Sequence, residues 1–143
     1  MVAPKRKSTP AAPKNRASEI APGVYVGGWK EAAEFEGVRF CVLDERPEDM
    51  PAATHIPIYD GATDRAIPGN LDKVARGMRE ARAKGQPVIV FCGHGVRRSP
   101  LAGAWYLHRH EGMTLDQAYA KIRTVRPKIE VASDWVGHPE NLA

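Results

Sequence analysis

Residues 87–91 (PVIVF) form an uninterrupted apolar run that includes β-branched valine and isoleucine. A strand with one wet face alternates apolar and polar residues, whereas a continuous apolar run is typical of a strand covered on both faces. Such a strand lies inside a sheet that has helices on both sides. The run therefore favours an α/β fold, in which the neighbouring segments supply the helices and further strands.

The rest of the chain from residue 19 supplies those elements. Short runs of β-branched and aromatic residues, closed by turn formers, predict strands over 23–28, 38–45 and 55–60. Pro57 should place the last of these at an edge or end it early. Apolar periodicity predicts helices over 29–36, 70–84, 99–111 and 115–125. The expected architecture is a mostly parallel central sheet flanked by helices, forming one domain over residues 19–143.

Cap signals locate the ends of these helices. Asn70 is the expected N-cap of the second helix, and Gly85 follows its end. Pro100 is tolerated in the first turn of the third helix. Thr114 and Gln117 have the spacing of a capping box at the start of the last helix.

Residues 1–18 differ in composition from the remainder. They hold five of the 21 cations and no acid, so the rest of the chain carries 16 basic and 17 acidic residues. With almost no large apolar side chain, this segment is expected to be a disordered basic arm that aids solubility rather than contacting phosphates. The near-neutral body makes a nucleic-acid partner unexpected. The sequence has two cysteines in strand-like surroundings, and it shows neither an apolar leader nor a run of membrane-spanning length. These features predict a cytoplasmic protein without membrane contact.

Cys92 follows the apolar strand directly, and ligands of α/β folds bind beyond the carboxyl ends of the strands. If residues 93–98 curl between strand and helix, their N–H groups converge with the positive end of the helix dipole on one anion. The expected phosphate cradle comprises Gly93, His94, Gly95, Val96, Arg97 and Arg98. The glycines accept a positive φ, and Arg98 can grip two phosphate oxygens with its planar fork. These groups would favour the thiolate form of Cys92, which is the nucleophile.

Hydrolysis of an ester also needs a proton for the leaving oxygen. Asp60 ends a predicted strand and opens a glycine-containing loop, so it is the candidate acid, with Asp64 as the alternative. Asp60 could also serve only as a turn former. Ser99, at the base of the cradle, could stabilise the sulfur of Cys92 as a leaving thiolate.

The segment CGHGVRRS resembles the Cys-x5-Arg-Ser signature of cysteine-dependent protein tyrosine phosphatases, and residues 19–130 resemble the small dual-specificity members. The resemblance implies hydrolysis without a metal or other cofactor, through a phosphocysteine on Cys92. It assigns phosphate binding to Arg98 and the loop amides, and acid–base catalysis to Asp60, which lies 32 positions before Cys92 as in that family. The implied partners are proteins phosphorylated on tyrosine, serine or threonine.

Three departures from the family pattern affect the site. Phe91 stands where most of the family has a histidine that helps hold the loop and favours the thiolate, so thiolate formation is expected either to be weaker or to rest more on the loop amides and cations. Arg97 occupies a place that is usually small or polar, so it either points outward or adds charge for an acidic substrate. The segment 128–135 (KIEVASDW) lacks the usual Pro-Asn, which affects the packing behind the site.

Other functions fit parts of the pattern. Counting from Cys92 to Arg97 gives the Cys-x4-Arg loop of a rhodanese, which would carry a persulfide. A module that binds phosphate without turnover would need neither thiol nor acid. Phosphoinositides and RNA 5′-phosphates are alternative substrates for the same loop. Packing roles are expected for Cys41, Trp105 and Tyr106, and His94 is expected to be a solvated loop side chain.

Overall fold

The computed structural model describes residues 17–46 and 48–136. The predictions for the arm over residues 1–16 and for the end of the domain over 137–143 lie outside these ranges. Among the described residues, no helix combines the length and apolar character needed to cross a membrane.

Among the residues that the structure describes, seven strands form one main sheet and one small hairpin. In chain order they are β1 (Ser18–Ala21), β2 (Val24–Gly28), β3 (Val38–Cys41), β4 (Thr54–His55), β5 (Tyr59–Asp60), β6 (Arg65–Ala66) and β7 (Val88–Cys92). The main sheet has the order β1-β2-β7-β3-β4, and only the β1–β2 pair is antiparallel. Strands β5 and β6 pair with each other. The predicted mostly parallel sheet is confirmed.

Helices surround this sheet. They are α1 (Trp29–Ala33), α2 (Pro68–Ala83), α3 (Arg98–His110) and α4 (Leu115–Val125), followed by a 3₁₀ helix over Ser133–Val136 that the sequence analysis does not predict. Central β7 has alternate side chains on opposite faces. Val88, Val90 and Cys92 join the large core with α2, α3 and α4, while Ile89 and Phe91 join a smaller cluster with Ala32 of α1. The strand is covered on both faces, as its apolar run predicts.

The cap of α2 differs from the prediction. Ile67, not Asn70, occupies the N-cap position, and Pro68 takes the first helical position. Proline suits that position because its missing N–H would have no partner inside the helix. Asn70 instead donates from Nδ2 to the carbonyl oxygen of Pro57 at 2.7 Å. The capping box of Thr114 and Gln117 is confirmed, with reciprocal bonds of 3.0 and 3.1 Å.

The strand predicted over 23–28 is confirmed by β2, while the end of the arm and two other strand predictions need correction. Residues 23–28 are half of a hairpin whose other strand, β1, includes Ser18, so the ordered domain begins before the predicted end of the arm. The strand predicted over 38–45 ends at Cys41. The segment 55–60 divides around Pro57, which has no N–H to continue a ladder. Its first part, β4, is an edge strand of the main sheet, and its second part, β5, pairs with β6.

Candidate active site

The segment 93–97 joins β7 to α3 in a tight loop. Gly95 has a φ of 72°, and a Cβ there would lie 2.6 Å from the carbonyl carbon of Gly27 and 2.8 Å from the nitrogen of Gly28. Glycine is required at this position for both its conformation and its close approach to β2. Gly93 has open space around a would-be Cβ and no positive φ. The sequence-based argument for glycine therefore holds at residue 95 and is wrong at residue 93.

Four successive carbonyl oxygens of this loop are held from outside it. Those of Gly93 and Val96 accept from the backbone nitrogens of Trp29, at 3.3 Å, and Glu130, at 2.7 Å. Those of His94 and Gly95 accept from the guanidinium group of Arg126, at 3.2 and 2.8 Å. In a trans peptide the C=O and the following N–H point in opposite directions. The N–H groups of residues 94–97 therefore point away from these outer partners.

Arg126 is the centre of this outer support. Its Nη2 lies 2.7 Å from Oε1 of Glu31, and its Nη1 contacts Oε2 of Glu31 at 3.1 Å and the hydroxyl of Ser18 at 3.0 Å. Glu31 Oε1 also accepts from the nitrogen of Gly28 at 2.6 Å. The pair is shielded, since the Arg126 and Glu31 side chains are 17% and 5% exposed. Sequence reasoning missed both residues because neither lies in the Cys-x5-Arg segment and they are distant in sequence.

Cys92 lies buried at the floor of the loop, with 4% of its surface exposed. Its Sγ lies 3.4 Å from both the hydroxyl and the backbone nitrogen of Ser99. The Ser99 hydroxyl donates to the carbonyl oxygen of Gly27 at 2.9 Å. Because a hydroxyl has one hydrogen, Ser99 accepts from the thiol here, and its backbone N–H is the donor to sulfur. The predicted residue is therefore beside the sulfur, in a different hydrogen-bonding arrangement from the expected one.

Arg98 extends from the first residue of α3 into the same region. Its Nη2 lies 3.6 Å from Oδ2 of Asp44, and its Cζ lies 5.2 Å from the ring centre of Tyr59. Both charged side chains are partly exposed, so this ion pair is weak and can be exchanged for another anion. Asp44, which follows β3, is a further residue that sequence reasoning missed.

A cleft of about 430 Å³ opens above Cys92. One part of its lining is a stack in which two aromatic rings lie between two cations. Arg97 lies over the ring of Trp135 at 4.5 Å, Trp135 contacts Tyr59 with 4.3 Å between ring centres, and Arg98 lies over Tyr59. The full lining consists of Leu43, Tyr59, Cys92, Gly93, His94, Val96, Arg97, Arg98 and Trp135. The segment 128–135, whose packing the sequence left open, thus contributes Trp135 to the cleft.

The two candidate acids lie in the β5–β6 hairpin at the side of this cleft. Asp60 follows the cleft residue Tyr59, and its Oδ1 accepts from the nitrogen of Ala62 at 2.9 Å. Asp64, with a φ of 55°, accepts from the hydroxyl of Tyr59. This hydrogen bond is the main cause of the raised pKa of Tyr59, which burial raises further. Neither carboxylate is among the residues that line the cleft.

Residues predicted to pack do so. Cys41 and Trp105 are fully buried and Tyr106 nearly so, and burial raises the pKa of the Cys41 thiol. Trp105 also donates from Nε1 to Asp72 at 2.7 Å. His94 is exposed, as expected. Among the residues that the structure describes, no group of three or more His, Cys, Asp or Glu side chains could hold a metal ion.

Comparison with known proteins identifies the type of site. Residues 42–137 match the family model described as dual specificity phosphatase, catalytic domain. Dual specificity phosphatase 28 of Mus musculus is 28% identical over 123 residues, which cover 79% of this chain and 75% of that protein. Dual specificity protein phosphatase 12 of Mus musculus is 27% identical over 140 residues, covering 87% of this chain and 40% of that protein.

A solved structure agrees with these matches. The crystal structure of human DUSP28 superimposes with a TM-score of 0.73 and 25% identity, and the alignment covers 94% of each chain. Of the two enzyme classes that the spacing around Cys92 left open, these matches support a phosphatase and not a rhodanese.

Proposed function

The chain belongs to the family of dual specificity phosphatase catalytic domains and is a cysteine-dependent phosphatase, and from this premise we propose that it hydrolyses phosphotyrosine and phosphoserine or phosphothreonine in proteins through a phosphocysteine on Cys92. The observation that carries the proposal is the loop above Cys92, whose four outward-held carbonyls direct the N–H groups of residues 94–97 to its other side. Converging backbone N–H groups at a helix N-terminus bind a phosphate dianion.

In the first step the Cys92 thiolate attacks phosphorus, and the bond between phosphorus and the ester oxygen breaks as the sulfur–phosphorus bond forms. Arg98 exchanges the Asp44 carboxylate for two phosphoryl oxygens, a bidentate arrangement that strengthens as charge builds on them. The weak Arg98–Asp44 contact of 3.6 Å supports this exchange. Asp44 would keep Arg98 oriented before substrate arrives.

Asp60 supplies the proton for the departing oxygen. The hydrogen bond from Ala62 occupies one of its two carboxylate oxygens and leaves the other to carry the proton. Asp64 accepts one hydrogen bond from Tyr59 in the same way, so the preference for Asp60 rests on its position 32 residues before Cys92, which matches the family pattern. In the second step Asp60 removes a proton from water, the water oxygen bonds to phosphorus, and the Cys92 thiolate leaves. The Ser99 backbone N–H, 3.4 Å from the sulfur, stabilises that thiolate.

The mechanism is tested with two esters that differ in leaving group, p-nitrophenyl phosphate and phenyl phosphate. Cys92→Ser should abolish turnover of both while retaining phosphate binding. Asp60→Asn should slow phenyl phosphate by about 10²- to 10⁴-fold, the range for loss of a general acid, and p-nitrophenyl phosphate much less. Asp64→Asn is the matched control in the same hairpin and should not show this dependence on leaving group. An active Cys92→Ser enzyme would refute the covalent route, and a leaving-group effect confined to Asp64→Asn would transfer the acid role to that residue.

The substrate class needs its own experiment. Protein substrates are favoured because one relative is named dual specificity protein phosphatase 12. A panel of phosphopeptides, phosphoinositides and triphosphorylated RNA compares the proposed substrates with the two other classes that such a loop could serve. Binding of phosphopeptides without release of phosphate would instead indicate a recognition module.

A further inference from the structure

Arg97 lies on the cleft wall at the entrance to α3, and its side chain is exposed. It occupies the N-cap position of that helix, and the first turn holds no acidic residue. A cation at the positive end of a helix dipole is unfavourable, and Arg98 follows it directly. None of the ion pairs among the described residues involves Arg97. Local helix energetics therefore do not explain why arginine stands here.

The conformation of Arg97 is nevertheless defined by Trp135, since its Cζ lies 4.5 Å from the centre of that ring. A guanidinium group stacked on an indole is stabilised by cation–π attraction and keeps its N–H edge available for hydrogen bonds. The Trp135 ring is itself held by Tyr59, which carries Arg98 on its ring. Two aromatic rings thus separate two cations along one wall of the cleft.

From this stack we propose that Arg97 and Trp135 form a subsite for a second anionic group of the substrate, while Arg98 binds the phosphate that is hydrolysed. The proposal rests on the proposed phosphatase function and specifies its substrate: a phosphopeptide with an acidic group near the phosphorylated residue. Adding the three stacking distances end to end bounds the separation of the two guanidinium carbons at about 14 Å, which about four residues of extended chain can span. An acidic side chain within four positions of the phosphoresidue can reach Arg97.

The test compares three phosphotyrosine peptides that differ within those four positions, carrying glutamine, glutamate or phosphoserine. The wild-type enzyme should favour the glutamate peptide over the glutamine peptide by about fivefold in kcat/KM, the size of an exposed charge pair at its upper end. The phosphoserine peptide distinguishes a phosphate from a carboxylate as the second anion and should show a larger ratio. Both ratios, each taken against the glutamine peptide, should shrink as salt is added.

Arg97→Gln should bring the ratios to about one, and Trp135→Leu should lower them because the guanidinium group loses its platform. Arg76→Gln is the matched control: it removes one positive charge from an exposed position on α2, outside the cleft lining, and should keep the ratios of the wild-type enzyme. Equal ratios in the Arg97 and Arg76 variants would overturn the proposal. So would dependence on Arg97 with a soluble short-chain phosphoinositide bisphosphate but with none of the peptides.

Binding separates this proposal from the proposed function. In a Cys92→Ser background, fluorescence anisotropy of the labelled peptides reports the same preference without turnover. If the intact enzyme hydrolyses no phosphate ester, the proposed function fails. The ratio of peptide affinities measured by anisotropy, with and without Arg97→Gln, still decides whether the subsite exists. If the Cys92→Ser protein with Arg97 intact binds all three peptides with equal affinity, the subsite proposal is refuted.

Discussion

Replacing Arg126 by methionine should destabilise the domain and disorganise the loop above Cys92. Methionine retains much of the aliphatic length but removes the donors to the carbonyls of His94 and Gly95 and to Glu31. The Glu31 carboxylate, 5% exposed, then keeps the N–H of Gly28 but loses its cation. The change therefore tests whether the buried ion pair is what holds the loop.

The cost follows from the burial of the pair. Breaking a buried ion pair by removing one partner costs about 3–5 kcal/mol. The 17% exposure of Arg126 lets water reach part of the site and favours the lower end, about 3 kcal/mol. For a domain of this size that loss lowers Tm by about 10 °C. Loss of loop geometry should reduce kcat/KM by about 100-fold, the effect of misplacing reacting groups by about 1 Å.

The assay is a double-mutant cycle with Glu31→Gln, measured by urea unfolding and by hydrolysis of p-nitrophenyl phosphate at a temperature where every variant is folded. Glutamine retains an oxygen acceptor for Gly28 but removes the uncompensated charge. The double variant should therefore be less destabilised than the two single variants together, by about 1–3 kcal/mol. Arg123→Met is the matched control, because Arg123 is exposed in the last turn of α4, just before Arg126, and should change stability by less than about 0.5 kcal/mol.

Two results would refute this reasoning. If Arg126→Met and Arg123→Met unfold at the same urea concentration, the ion pair contributes nothing measurable to stability. If Arg126→Met is destabilised but retains wild-type kcat/KM when folded, then the carbonyl contacts support the fold without positioning the loop.

Two further predictions concern backbone space and alkaline pH. Gly95→Ala should remove most of the phosphatase activity, because the added Cβ would lie 2.6 Å from the backbone of β2 at a positive φ. Gly93→Ala should reduce activity much less in the same assay, because the space around a Cβ at that residue is open. Burial raises the pKa of Tyr119 to about 12, above the ordinary value of 10, so this residue stays protonated in the folded state after it has ionised in the unfolded state. Its contribution to stability is present below pH 10 and is lost as the pH rises toward 12, with a slope of at most about 1.4 kcal/mol per pH unit. Urea unfolding at several alkaline pH values should show a smaller decline in Tyr119→Phe, and an unchanged decline would disprove the assignment.

The sequence predicted the structural features that depend on residues close together in the chain. The apolar run of β7 identified the central strand and placed Cys92 at its carboxyl end, and the spacing of Thr114 and Gln117 located the start of α4. Its errors lie where distant segments meet. Asn70 is a good N-cap by type, but the carbonyl of Pro57 takes its side chain, and the segment 55–60 divides because its two ends pair with different strands.

The candidate site shows the same division. Cys92, Ser99 and the arginines lie within one short segment, so their spacing carried the signal. Tyr59, Asp44 and Trp135 come from three other segments, and no local pattern marks them as parts of the cleft. Glu31 and Arg126 are separated by 95 positions, and only the tertiary fold brings their charges together beneath the loop.

The residue before Cys92 shows how the tertiary structure supports the loop. Phe91 stands where the family pattern has a histidine, and the sequence predicted that thiolate formation would be weaker or would rest more on the loop amides and cations. In the structure Phe91 is fully buried on the α1 side of the sheet, opposite Cys92, and a phenyl ring donates no hydrogen bond. The loop carbonyls are held instead by Trp29, Arg126 and Glu130. Because these contacts fix the peptide planes themselves, the orientation of the loop N–H groups does not depend on a donor at position 91.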